Sequence, residues 1–222
     1  MKSIRRITLV VTMAGVAACC AHQDQRPEKL VAASGTEVIT PHARYVRTVY
    51  VMARRDLLAC GNAVYGDPHF SSISVHIPFN PDFSSLAQLN DRHFATRREI
   101  ARLFDFDRAF AKCPTAYLER MKTNVPAMAL ITAEGYAKNE YITADLIERK
   151  LTWGDYAKIR KKNYDDAVQL LGVEFVRFLN GTSPESEADP LLRQDVAAAL
   201  TRYYQSLRIV PSIRTKSAKP SS

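Results

Sequence analysis

Apolar residues recur at helical spacing along most of this chain, and the punctuation between them marks where helices begin and end. Thr40-Pro41 places a capping side chain before a proline in the first turn, a helix start. At about 100° per residue, Tyr45, Val46, Val49, Tyr50, Met52, Ala53, Leu57 and Cys60 share one broad face, while Arg44, Arg47, Arg54 and Arg55 collect on the other. The pattern predicts a helix to Cys60, with Gly61 as its C-terminal cap. Thr96-Arg97-Arg98-Glu99 reads as a capping box opening a helix through Leu103, Phe104, Phe106 and Phe110 to Cys113, where Pro114 stops it. Residues 115–150 are helical in composition without a sharp apolar face, and Pro126, Gly135 and Thr143 are expected to divide them. Thr152-Trp153-Gly154-Asp155 resembles another capping box. It opens a helix carrying Trp153, Ala157, Tyr164, Ala167, Val168, Leu171, Phe175 and Phe178 on one face, ended by Asn180-Gly181. Asp189-Pro190 starts a last helix through Leu192, Val196, Leu200, Tyr203 and Leu207, until Pro211.

One stretch departs from this period. Ile73, Val75, Ile77 and Phe79 alternate with Ser72, Ser74, His76 and Pro78, which predicts an extended, strand-like segment at about 70–79. Pro78 confines it to an edge or an irregular loop. The expected fold class is all-α: an irregular bundle of about five to six helices in one domain over residues 40–211, crossed by that segment.

The first residues follow a different logic. Lys2, Arg5 and Arg6 precede an apolar run from Ile7 to Ala18. About a dozen apolar residues are too few for a mature transmembrane helix, which needs ~20. A basic region followed by a short apolar one is the pattern of a secretory signal peptide. Val16-Ala17-Ala18-Cys19 resembles the lipobox of bacterial lipoproteins: an aliphatic residue, two small residues, then the cysteine that is acylated and becomes the first residue. The resemblance implies a signal peptide over 1–18, lipid attachment at Cys19 and a polar tether over 19–39. It implies anchoring in the bilayer through the acyl chains, with the domain facing the periplasm. Cys20 rather than Asp follows the anchor, which in the enterobacterial sorting pattern favours the outer membrane. The other reading of the leader is a plain cleaved signal peptide. Export permits disulfides, and Cys60 and Cys113 each close an apolar helical segment, so a Cys60–Cys113 bridge is expected; two buried free thiols are the alternative.

Composition then changes the picture in one respect. The chain has 222 residues, 31 Lys and Arg against 23 Asp and Glu, and a net charge of +8, which invites a nucleic-acid reading. Lys2, Arg5 and Arg6 leave with the signal peptide, and Arg214, Lys216 and Lys219 sit in a Ser, Lys, Arg and Pro tail from Ser212 that is expected to be disordered. Residues 19–211 carry only +2. No nucleic-acid partner is expected. What remains informative is the grouping of Arg44, Arg47, Arg54 and Arg55, of Arg97, Arg98 and Arg102, and of Lys158, Lys161 and Lys162. Each is either a solvated face or a docking patch for an acidic envelope polymer.

Most searches for chemistry return nothing. The eight glycines form no phosphate-binding loop, no nucleophile elbow or His-Glu-x-x-His motif is present, and all five histidines precede residue 94. No cofactor is expected. Asp67, His69 and His76 are the best metal-ligand types, but in an extended segment the spacing of His69 and His76 sends them to opposite faces, so no metal site is expected. Glu134 is a lone glutamate without a surrounding motif. The weak catalytic candidates are Asp56, Asp107 and Arg160, which fall inside the apolar arcs of their helices, with Tyr156 and Tyr164 beside Arg160. A Cys60–Cys113 bridge would bring the two carboxyl-bearing helices together. Such a cluster is either a buried acid–base site or an internal salt-bridge network, and the second is favoured because no nucleophile accompanies it. Three functions stay in view: a binding or accessory protein of the cell envelope, a peptidoglycan or glycan hydrolase using these carboxyls or Glu134, and a purely structural lipoprotein.

Overall fold

A computed structural model describes residues 41–179 and 190–217. The signal peptide at 1–18, Cys19, the tether at 19–39, Asn180-Gly181 and the end of the tail from 218 lie outside the described residues.

The architecture is all-α. Among the described residues, seven helices of a length to build a core are α1 (Pro41–Tyr65), α4 (Arg97–Phe110), α5 (Lys112–Asn124), α6 (Pro126–Ile147), α7 (Trp153–Leu179), α8 (Pro190–Ser206) and α9 (Ile209–Ser217). Between α1 and α4 lie two single α-turns, α2 (Ser71–Ser74) and α3 (Leu86–Leu89), and two 3-10 turns, Pro68–Phe70 and Pro81–Phe83. Thr96 and Glu99 form the expected capping box at the start of α4. At the start of α7 the Asp155 backbone N–H donates to Thr152 Oγ1, whose hydroxyl donates to the Asp155 carboxylate.

The core has two parts. Val46, Ala53, Leu118, Met121, Met128, Ala129, Ala133 and Tyr203 join α1, α5, α6 and α8. Ile73, Ile77, Leu103, Phe106, Leu146, Trp153 and Val210 join the α1–α4 connection to α4, α6, α7 and α9. Helix α6 runs through both and packs on α5, α7, α8 and α9. It is enclosed on most sides, which is why its sequence shows no sharp polar face. Cys60 on α1 and Cys113 on α5 form a disulfide with Cα atoms 5.6 Å apart. Closing a loop of 53 residues, it stabilises the fold by about 4 kcal/mol in the chain-entropy account.

Four boundaries differ from expectation, each for a physical reason. Helix α1 continues past Gly61 to Tyr65. A Cβ at Gly61 would lie 2.3 Å from the Phe79 ring, so the glycine makes room for a side chain rather than ending a helix. Pro114 lies in the first turn of α5, where proline is tolerated, and the break falls at Ala111. Pro126 opens α6, which then passes unbroken through Gly135 and Thr143. Pro211 sits in the first turn of α9, so the chain from Ser212 to Ser217 is helical rather than loose.

The strand-like segment is also absent as such. Residues 68–74 form a 3-10 turn and a helical turn. Ile73 and Ile77 are fully buried while Val75 is 62 % exposed. The apolar period is therefore four residues, not two.

Candidate functional site

The irregular connection between α1 and α4 is held in place at several points, and this fixing positions a histidine. The Phe79 ring fills the notch at Gly61. Arg160, buried on α7, donates to the carbonyls of Pro78 at 2.7 Å and Phe79 at 2.9 Å, and to the Tyr65 hydroxyl at 3.0 Å. Gln88 Nε2 donates to the Val75 carbonyl at 2.7 Å. His76 lies between these anchors.

A second connection closes over it. The first backbone N–H groups of a helix have no partner within the helix. At α7, Trp153 N–H donates to the His93 carbonyl at 2.9 Å and Gly154 N–H to the Asp91 carbonyl at 2.8 Å. Residue 154 has to be glycine, because a Cβ there would meet backbone atoms of Asp91 and Leu89 at 2.6–2.8 Å. This pairing sets Asp91, Arg92, His93 and Phe94 beside the start of α7.

His76 is clasped from both edges and one face. Its Nδ1 lies 3.1 Å from Asp91 Oδ2 and its Nε2 3.0 Å from Glu99 Oε1. Both bonds form together only when both nitrogens carry hydrogen. The ring stacks on Trp153 with centroids 4.3 Å apart and planes 3° from parallel. Burial works to raise the Asp91 carboxyl, but the His93 backbone and side-chain donors, together with His76, outweigh it and hold it below its ordinary value. Glu99 follows the same pattern: burial raises it, and Thr96 and His76 outweigh that and hold it low.

His76, Arg92, His93, Phe94, Thr96, Glu99, Arg149 and Trp153 line an open pocket of about 440 Å³. Arg149 enters it from the end of α6. Lys150 N–H donates to the Asp145 carbonyl and Arg149 N–H to the Leu146 carbonyl, a Schellman ending with Arg149 in the left-handed position at φ 58°. Among the described residues Arg149 is the only non-glycine residue with positive φ. Its guanidinium lies 5.8 Å from the Phe94 ring centroid.

The weak catalytic candidates do not converge. Asp56 is exposed on α1 and pairs with Arg55 at 3.3 Å and with Arg120 of α5 at 2.6 Å; these bonds lower its carboxyl pKa. It lines a crevice of about 50 Å³ beside the disulfide, too small for a ligand beyond a few waters. Asp107 turns to a different partner because its helix ends at Phe110 and the disulfide belongs to α5. It bonds Glu140 on α6, whose carboxyl is pushed well above its ordinary value by burial first and by the Asp107 charge second. Burial raises Asp107 too, opposed by the proton that Glu140 donates. Glu140 is 8 % exposed and its Oε2 has no hydrogen-bond partner. Arg160 bonds carbonyls and Tyr65, not either carboxylate, so it fastens a loop.

The remaining residues also find structural partners. Tyr156 is buried, shares a hydrogen bond with Thr143 at 3.2 Å, and is pushed up to about 12 chiefly by that burial. Tyr164 is half-buried. Glu134 pairs with Arg202 at 2.8 Å. Asp67 caps the 3-10 turn through the His69 N–H, the His69 ring meets Arg102, and His76 lies elsewhere. Among the described residues no three side chains are arranged to hold a metal. Lys161 pairs with Asp82 and Asp165, and Lys162 with Asp166. Arg44, Arg47, Arg54, Arg97, Arg98 and Lys158 are exposed.

Asp91, Arg92, Arg149 and the pairing role of Glu99 are site features that sequence reasoning missed. A signal was present: three of the five histidines fall in the irregular connection between α1 and the α4 cap. No protein family, characterised protein or solved structure matches this chain.

Proposed function

We propose that this chain is a lipid-anchored, periplasm-facing protein of the bacterial cell envelope that acts by binding, as an accessory or ligand-holding component, through the His76 and Trp153 pocket. The address rests on Val16-Ala17-Ala18-Cys19 after a basic and apolar leader, with acyl chains on Cys19 supplying stable attachment to the membrane, the outer one being favoured. The Cys60–Cys113 disulfide supports an oxidising compartment. No described helix is long and apolar enough to cross a membrane.

One observation carries binding over hydrolysis. An acid catalyst at neutral pH needs a carboxyl with a raised pKa inside a cleft. The carboxyls raised by burial, Asp107 and Glu140, do not line the pocket, and Glu99, which does, is held low. His76, the obvious base, has both nitrogens engaged.

The test is mass spectrometry of the mature amino-terminal peptide, with membrane fractionation and cross-linking of the same cells. The expected result is a peptide beginning at acylated Cys19, sedimentation with the membrane, and release together with loss of cross-linked envelope partners in Cys19→Ser. An unmodified terminus elsewhere contradicts the anchor. Hydrolysis of peptidoglycan by the purified protein contradicts the binding reading.

A further inference from the structure

Several hydrogen-bond donors in the pocket lining have no partner. Arg92 and Arg149 both line it, and neither guanidinium forms an ion pair or hydrogen bond among the described residues. Trp153 is 1 % exposed and its indole Nε1–H has no acceptor. Each oxygen of the nearby carboxylates already receives a donor other than these: Asp91 receives His76 and His93, and Glu99 receives His76 and the Thr96 N–H. Both α4 and α7 begin beside this pocket, with Thr96 and Trp153 in its lining.

Arg149 adds an independent argument. The left-handed position that ends a helix favours glycine or asparagine, and an arginine there carries a conformational cost. Strain of this kind persists where a side chain has a use. Here it places a guanidinium beside Phe94 in the pocket lining.

We propose that the pocket binds a small ligand through a carboxylate or phosphate group held by Arg92 and Arg149, with the ligand's apolar part on Phe94. The inference rests on the binding reading above and names its ligand class. Two guanidinium groups lining one pocket offer the forked donors that match a planar carboxylate or the oxygens of a phosphate. Phe94, 43 % exposed, offers an apolar face beside them. A volume of about 440 Å³ suits a small molecule rather than a folded partner.

Trp153 is the only tryptophan of the chain, so its fluorescence reports on this pocket alone. The experiment uses the full acylated protein in phosphatidylcholine nanodiscs, its amino terminus verified by mass. It is titrated with inorganic phosphate, benzoate, N-acetylglucosamine and tetramethylammonium, and compared in nanodiscs containing phosphatidylglycerol. The expected result is a saturable Trp153 change with phosphate or benzoate, weakened by added salt and weakened at least about tenfold in Arg92→Gln and Arg149→Gly, the size of a lost charge-assisted contact. Arg149→Gly keeps its helical spectrum and melts no lower than the parent, which separates lost binding from lost fold. A change on moving to phosphatidylglycerol that Arg149→Gly abolishes assigns the anion to a lipid headgroup. A change only with soluble anions assigns it to a free ligand. No saturable response to any anion, or equal affinity in both variants, overturns the proposal. A response to N-acetylglucosamine or tetramethylammonium alone overturns the anion assignment and leaves the binding reading standing.

Discussion

Two groups of carboxyls sit in this fold, and their partners make them opposites. Asp91 and Glu99 stand at the pocket, each bonded to one nitrogen of His76, and both are held below their ordinary values. Asp107 and Glu140 lie between α4 and α6 with each other as the principal partner, and both are raised. Burial acts upward on all four. Whether hydrogen-bond donors or a second carboxyl meet the group decides the sign: the His93 and Thr96 donors, then His76, at the pocket, and another carboxyl inside. The pocket thus combines partnered carboxylates with free donors in its lining, whereas the inner pair shares a proton that keeps a second charge out of the core.

The contrast fixes two opposite pH dependences. Asp91 and Glu99, depressed in the folded state, contribute stability that is complete above their ordinary values of 3.8 and 4.5 and is lost as pH falls through the folded ones. Asp107 and Glu140, raised in the folded state, contribute stability below their ordinary values of 3.8 and 4.5 that is lost as pH rises through the folded ones.

Four substitutions break or sharpen the comparison. Gly154→Ala has the largest effect: its Cβ would strike Asp91 and Leu89 backbone, lowering stability by about 3 kcal/mol in denaturant unfolding and quenching the Trp153 response. His76→Ala removes the partner of two carboxylates and the stack on Trp153, lowering stability by about 2–3 kcal/mol at neutral pH. That loss shrinks toward acid, as thermal melts at several pH values will show. Glu140→Gln runs the other way. The amide still donates to Asp107 without a charge to bury, so the variant is more stable than the parent by about 1–2 kcal/mol near neutral pH, with the gain vanishing below about pH 4. Arg149→Gly has the smallest effect on the fold, a gain of up to about 1 kcal/mol in chemical unfolding, while costing the pocket its anion.

Where local chemistry decides the outcome, the chain was readable. Thr96 with Glu99, Thr152 with Asp155 and the Cys60–Cys113 bridge all follow from spacing and side-chain type. Where one residue type serves two purposes, it was not. Gly61 carries the signature of a cap, yet it admits the Phe79 ring from the connection that folds back on α1. Ile73, Val75, Ile77 and Phe79 alternate, yet Ile73 and Ile77 are the pair that goes inside. Asp107 fell in the apolar arc of its helix and is half-buried, but its partner Glu140 belongs to a helix enclosed on most sides, where periodicity carries no direction. Trp153 and Glu99 were visible as a core residue and a cap residue. Their shared role around His76 depends on how the 90–94 segment pairs with α7, which no local pattern encodes.

The most direct measurement is a pH titration of the side-chain carboxyl carbons by nuclear magnetic resonance, assigned with Asp91→Asn, Glu99→Gln, Asp107→Asn and Glu140→Gln. Asp91 and Glu99 are predicted to titrate below 3.8 and 4.5, and the Asp107–Glu140 pair above those same values. Four carboxyls titrating together near 4 would contradict the account, because the pocket and the inner pair would then no longer be different kinds of site.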